Sequence, residues 1–153
     1  MASNRHLGRI VALQTLYEFE FRTESADDTV EVKEILSRNL KRYETAIDDT
    51  KFVENLVDGV IADRQSIDDK IQPIAPDWPI AQIARIDRNI LRLGVYELLS
   101  HADTVPPKVV INEAVELAKA FGSDNSSKFV NGVLGTAYRT LVEGAENGDT
   151  TVR

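Results

Sequence analysis

The sequence predicts an all-α bundle of about seven helices. Three observations carry that prediction: apolar residues recur at helical spacing nearly throughout, no two segments are joined by hairpin turn chemistry, and Pro73, Pro76 and Pro79 break the chain near its middle. The first helix follows Ser3, a candidate N-cap, and its stripe runs through Leu7, Ile10, Gln14, Tyr17 and Phe21, widened by Val11, Leu13 and Leu16. Polar residues from Thr23 to Asp28 interrupt it, and a shorter amphipathic helix passes through Val32, Ile35, Leu36 and Leu40. A third, long helix is expected from Asp49 to Ile71, through Phe52, Val53, Leu56, Val60, Ile61 and Ile67.

The prolines cannot share one helix, since each lacks an amide hydrogen and restricts the residue before it. They divide the domain, residues 1–143, into sub-bundles of about 1–72 and 77–143, with Trp78 between two prolines read as a plug against the core in preference to a ligand platform. Ile83 to Leu99 then form a strongly apolar central helix ending near His101. Pro107 opens the next helix at its first turn, where a missing amide hydrogen is harmless, and Val110, Ile111, Ala114, Val115, Ala118 and Phe121 form its stripe. Gly122 is expected to terminate that helix and Ser123 to cap the last one, whose core face is Val130, Val133, Leu134, Ala137, Tyr138 and Leu141. Residues 144–153 read as a disordered acidic tail.

Composition narrows function. A chain of 153 residues supports one substantial core. It has no cysteine and only two histidines, His6 and His101, which leaves little material for thiol, zinc or histidine-based catalysis. The phosphate-binding GxxxxGK[ST] and GxGxxG motifs and the GxSxG nucleophile elbow are missing from the sequence. No apolar run approaches the roughly 20 residues that span a bilayer, and the N-terminus lacks an apolar signal centre, so a cytoplasmic location is expected. Asp27-Asp28, Asp48-Asp49 and Asp68-Asp69 fall near expected helix ends, where acids cap or solvate. Glu113 and Glu116 are three apart on one helix, but no Glu-x-x-His accompanies them as a di-metal site requires.

The net charge of −7 speaks against nucleic acid, but its distribution does not. No acidic residue precedes Glu18, whereas residues 23 to 70 hold thirteen carboxylates against seven Lys or Arg. Arg5 and Arg9 share one helical face beside His6, near free amide hydrogens that also attract phosphate; the alternative is a solvated helix end. In the last helix Phe129 sits about 110° from the centre of the apolar stripe, with Lys128 nearly opposite that stripe. An aromatic at the rim beside a cation suits a single-stranded RNA base and its phosphate, and a ring buried against another helix is the competing reading.

The stretches Arg85–Leu99, Val105–Lys119, Phe121-Gly122 and Lys128–Leu134, containing INEAVELAK and KFVNGVL in that order, closely resemble the C-terminal signature of the NusB family. Ala12–Tyr17 resembles its first helix. The resemblance implies two helical sub-bundles and a transcription antitermination factor that catalyses no reaction and needs no cofactor. It implies binding to the boxA element of nascent ribosomal or phage RNA together with NusE, which is ribosomal protein S-ten acting outside the ribosome, and through them indirect contact with other Nus factors and RNA polymerase. Carried over by position, Arg5, His6, Arg9, Lys128 and Phe129 are RNA-proximal, with Arg92 and Lys108 as weaker candidates, and Tyr17 and Asp87 fall at the NusE contact. Asn112 and Glu113 read as structural, bonding or favouring a helix start. Many family members carry a denser run of arginines before the first helix, so this chain should depend strongly on NusE. Two other readings compete: a domain of the kind fused to RNA cytosine methyltransferases, although no methyltransferase portion follows here, and a homodimer that hides its basic face.

Overall fold

The computed structural model describes residues 4–101 and 104–144, and within them every regular element is helical. Ser3 and the tail beyond Gly144 lie outside the described residues. The chain forms two compact units, Met1–Ala62 and Asp63–Arg153.

The first unit holds α1 (Arg5–Glu24), α2 (Val32–Arg42) and α3 (Thr50–Ala62), with α1 packed on both of the others. Asn4 caps α1, its Oδ1 accepting from the Leu7 amide at 3.2 Å. Of the expected stripe on α1, the widening residues Val11, Leu13 and Leu16 form the buried face and the line from Leu7 to Phe21 does not. Val11, Ala12, Leu13 and Leu16 are buried with Gly8 and Thr15, while Leu7, Ile10 and Gln14 are half-buried and Tyr17 and Phe21 are 37% and 50% exposed. The helix is apolar most of the way round, so periodicity alone cannot choose its core side; small residues choose it. A Cβ on Gly8 would lie 3.0 Å from Val53 Cγ2, which shows how closely α3 approaches.

α2 buries Ile35 and Leu36, and its Asn39 Nδ2 donates to the buried Thr15 hydroxyl on α1 at 3.0 Å. Glu18 of α1 accepts from both Arg22 and Arg38, joining the two helices at their surface. Burial alone would raise the Glu18 carboxyl, but hydrogen bonds from Arg38 and Arg22 and their charges hold it below its ordinary range.

The single long helix expected from Asp49 to Ile71 is two helices, α3 and α4 (Arg64–Ile71), broken at Asp63, and α4 belongs to the second unit. The division therefore falls before α4 and not in the proline segment. The break keeps phase, since Val60, Ile67 and Ile71 all remain buried, so apolar spacing runs through it unmarked.

The second unit is built round α5 (Arg85–Ser100), which packs on α4, on α6 (Pro107–Phe121) and on α7 (Ser126–Ala137). Eleven of its residues are buried, four of them polar or charged at its start: Asp87, Arg88, Asn89 and Arg92. Pro107 occupies the first turn of α6, as expected. Gly122 ends α6 in extended geometry, not left-handed, and it is needed for close approach: a Cβ there would meet Ser126 Oγ at 2.5 Å and the Ala118 carbonyl at 2.8 Å. Ser123 does not cap α7. Its backbone amide instead donates to Ser126 Oγ at 2.9 Å. After Ala137 the chain widens into a π-helical turn, Tyr138–Glu143, so Val142 is buried five positions on, where unbroken α-periodicity points to Leu141.

Candidate nucleic-acid interface

Each unit carries part of the expected RNA-binding set. In the first, Arg5 and Arg9 converge on one ring: their guanidinium carbons lie 4.4 Å and 5.1 Å from the centroid of Phe52 on α3. Arg5 also pairs with Asp49 at 3.4 Å, and Asp49 Oδ1 accepts from the Phe52 amide at 3.1 Å, so the acid is an N-terminal cap for α3 as well as a counterion. Arg9 is 5% exposed and His6 is exposed. The α1 entry is thus partly neutralised and partly built into the packing. Its Arg5 keeps about a third of its side-chain surface in solvent, 36%, for an outside anion.

The second unit contains a cavity of about 260 Å³ lined by Trp78, Gln82, Ile83, Ala84, Asp87, Ser123, Asn125, Ser126 and Phe129. Phe129 is half-buried and Lys128 beside it is exposed. Two anchors hold the proline segment that forms one wall. Gln72 donates through Nε2 to the carbonyls of Trp78 (2.9 Å) and Ala75 (3.3 Å) and accepts through Oε1 from the Ile80 amide (3.0 Å). The buried Arg88 guanidinium donates to the carbonyls of Ile83 (2.9 Å), Ala81 (3.3 Å) and Ile80 (3.4 Å) around the 3-10 turn Ile80–Gln82. Backbone carbonyls of an irregular loop need partners, and one guanidinium nitrogen, Nη1, serves three of them.

This segment holds Trp78 with 53% of its surface exposed, so the tryptophan is not the core plug its position suggested. Proline-restricted backbone and the Gln72 clamp turn the ring outward. Asp87, expected at the NusE contact, is 8% exposed, and its Oδ1 is buried with no hydrogen-bond partner. It stands in the first turn of α5, where the helix dipole favours a carboxylate.

Arg92 is a correction to the RNA-binding set. It is 3% exposed, and its Nε and Nη2 donate to the two oxygens of Asp68 at 2.8 and 2.9 Å, a bidentate pair fixing α4 to α5. A guanidinium committed in this way cannot also meet phosphate. Lys108 is exposed at the start of α6. Asn112 is likewise exposed, inside α6 and away from any helix start, so it does not bond the backbone as expected. Glu116 pairs with Lys119 at 3.3 Å on the surface. Among the described residues no three His, Cys, Asp or Glu gather as metal ligands, and no helix is long and apolar enough to cross a membrane.

Sequence reasoning missed Gln72 and Arg88, and it misjudged Trp78. Proline spacing marked the loop but could not show which side chains tie it down.

The chain as a whole matches known proteins. The family model described as NusB family matches residues 6–139. A transcription antitermination protein NusB of Chloroflexus aggregans is 44% identical over 149 residues, covering 96% of this chain and 95% of that protein. A solved structure of T. maritima NusB superposes with a TM-score of 0.80 at 32% identity, covering 91% of this chain and 93% of that one. A structure described as antitermination factors NusB and NusE in complex with double-stranded RNA gives a TM-score of 0.75 at 27% identity, covering 88% and 96%. By sequence, by fold and over nearly its whole length, the chain belongs to the NusB family of transcription antitermination proteins.

Proposed function

We propose that this chain is an RNA-binding adaptor which, with NusE, binds boxA-type RNA of nascent transcripts and helps assemble the antitermination complex on RNA polymerase. The observation that carries the reading is the cavity of the second unit, where a half-buried Phe129 stands beside the exposed Lys128. A base stacks on the ring and the ammonium meets its phosphate. The relative solved with NusE and double-stranded RNA supports the same pairing of partners.

Arg5, His6, Arg9 and Lys108 contribute phosphate attraction, with Arg5 and Arg9 shared between RNA and the Phe52 ring. That sharing, in a chain of net charge −7, makes intrinsic RNA affinity low and the contribution of a basic NusE large. Tyr17 and Phe21, four apart and exposed on α1, form an apolar surface for NusE.

The test is fluorescence anisotropy of a boxA RNA and a scrambled RNA, with and without NusE, over a salt series. Selective binding strengthened by NusE is expected, and the logarithm of affinity should fall with slope of about 0.7 per phosphate neutralised on a single strand. Phe129→Ala should lower affinity by about 1–3 kcal/mol. Lys128→Ala should flatten the salt dependence by about one phosphate. Equal binding of both RNAs even with NusE would reject the reading. A Phe129→Ala protein that loses thermal stability while its affinity per folded molecule is unchanged would return Phe129 to a packing role.

A further inference from the structure

We propose that the outer face of α2 carries the phosphate backbone of the RNA that flanks the specifically bound element, with Lys33, Lys41 and Arg42 as the phosphate contacts. This rests on the RNA-binding reading and adds to it a second surface, and with it the course of the strand beyond its specific site.

Charge supplies the first reason. The chain is acidic, yet four of the seven Lys or Arg between residues 23 and 70 stand on α2: Lys33, Arg38, Lys41 and Arg42, against Glu34 alone. Four cations less one acid leave this helix at +3 in a chain of net charge −7. All five side chains are exposed, whereas Ile35, Leu36 and Asn39 are buried against the rest of the unit.

The second reason is that the fold does not use these cations. Arg38 shares Glu18 with Arg22 and still keeps 49% of its side chain in solvent. Lys33, Lys41 and Arg42 form no ion pair among the described residues. Lys41 and Arg42, in the last turn, complement the helix dipole, as a merely solvated helix end would require. Lys33 stands in the first turn, where the dipole disfavours a cation, so helix stability does not account for the row.

The third reason is direction. Asn39 bonds Thr15 at 3.0 Å and Arg38 bonds Glu18, so later residues of α2 meet earlier residues of α1 and the two helices run antiparallel. The end of α2 therefore points toward the start of α1, and residues 43–49 close the gap, with Asp49 paired to Arg5 at 3.4 Å. Lys33 and Lys41 lie eight positions apart, about 12 Å along the helix, on a row that leads to the end of the unit presenting Arg5 and the exposed His6. A strand engaged there continues along α2.

The surface suits a nucleic-acid backbone better than a protein. Lys33, Glu34, Ser37, Arg38 and Lys41 line a shallow groove. Among the described residues no large exposed apolar side chain lies on α2, whereas protein interfaces are anchored by apolar or aromatic groups buried at their centre. Phosphate contacts need no such anchor and read no base. Glu31 and Glu34 at the start of the helix, and Glu44 and Asp48 after it, are exposed acids that limit the track to a few phosphates.

The probes are a labelled boxA RNA and the same RNA extended by oligouridylate at both ends, titrated by anisotropy into the chain with NusE over a salt series. One variant carries Lys33→Gln with Lys41→Gln; a control carries Lys70→Gln with Lys119→Gln, which changes the net charge equally in the other unit. Extension should steepen the salt dependence of the unaltered chain by about 0.7 for each phosphate gained. The α2 variant should lose about 1.4 of that slope, two phosphates, on the extended RNA while binding the boxA RNA as before. Its melting temperature should not move, and the control should match the unaltered chain on both RNAs.

A full slope on the extended RNA in the α2 variant, with both RNAs still bound, would overturn the inference, leave the RNA-binding reading intact and give the row to an acidic protein segment. An equal loss on both RNAs would overturn the flanking assignment and place α2 inside the specific site. A loss matched by the control would overturn it in favour of net charge alone. No binding of either RNA by the unaltered chain with NusE would remove the RNA-binding reading and this inference with it.

Discussion

The two units handle charge in opposite ways. In Met1–Ala62 four arginines are already used by the structure: Arg5 and the buried Arg9 lie over the Phe52 ring, Arg5 pairs with Asp49, and Arg22 and Arg38 share Glu18. In Asp63–Arg153 Arg88 and Arg92 are buried in scaffold bonds, while Asp87, which lines a cavity, keeps one buried oxygen without a hydrogen-bond partner. On the proposed RNA-binding reading, the first arrangement would attract phosphate, and the Phe129–Lys128 rim of the second would stack a base. Affinity and selectivity in nucleic-acid binding come from these two kinds of contact, and the proposed reading assigns them to different parts of the chain.

The largest effect should come from the scaffold of the reading unit. Arg92→Ala removes one partner of a bidentate pair in which Arg92 is 3% exposed, stranding Asp68 beside α5. Breaking such a pair from one side costs about 3–5 kcal/mol, readable as a shift in urea midpoint. RNA affinity per folded molecule should be unchanged. A variant of normal stability with weakened RNA binding would restore Arg92 to the RNA-binding set and blur the line between scaffold and site.

That line explains how far the sequence could be read. Helical class, the central helix, Pro107 at its first turn and Gly122 at a helix end all follow from local rules: periodicity, a missing amide hydrogen, the need for a small residue. Helix faces and breaks were less legible. Leu7 to Phe21 gave a good stripe that is not the buried one, because α1 has apolar residues on more than one side and the close approach at Gly8 decides the packing. Asp63 broke a helix without shifting phase, and the π-helical turn moved burial from Leu141 to Val142. At the candidate site, Phe129 and Lys128 were legible as a rim pair from angular position. Asp87 and Trp78 were not, since their exposure depends on Gln72 and Arg88, whose bonds to loop carbonyls are tertiary and leave no periodic trace.

In the first unit a smaller effect is expected from Arg5→Ala. Its ion pair with Asp49 is about one-third exposed on both sides and its cation–π contact is near the surface, so stability should fall by about 1 kcal/mol or less. RNA affinity should fall by a similar amount for boxA and scrambled RNA alike. A selective loss on boxA would place base reading in the first unit too and remove the division of labour between the two.

The smallest effect is acid sensitivity. Asp27, in the turn after α1, accepts from the Thr29 hydroxyl at 2.6 Å, from Arg22 Nε at 2.9 Å and from the Thr29 amide at 3.0 Å. The Thr29 hydrogen bond, then Arg22, holds its carboxyl at about 2, below the ordinary 3.8. A depressed carboxyl stabilises the folded chain fully above its unfolded value and loses that contribution as pH falls from about 3.8 through about 2. Solvent screens the group, so the effect on overall stability should be slight, and Asp27→Asn should remove it without touching RNA binding at neutral pH. Thermal melts of both proteins from pH 5 to pH 2 provide the check, on the order of the window set by the two values. Curves that stay parallel would show that the hydrogen bonds to Asp27 do not persist in solution. Converging curves would show that the charges of the first unit serve its own fold, as those of Arg5 and Arg9 do, before they serve any ligand.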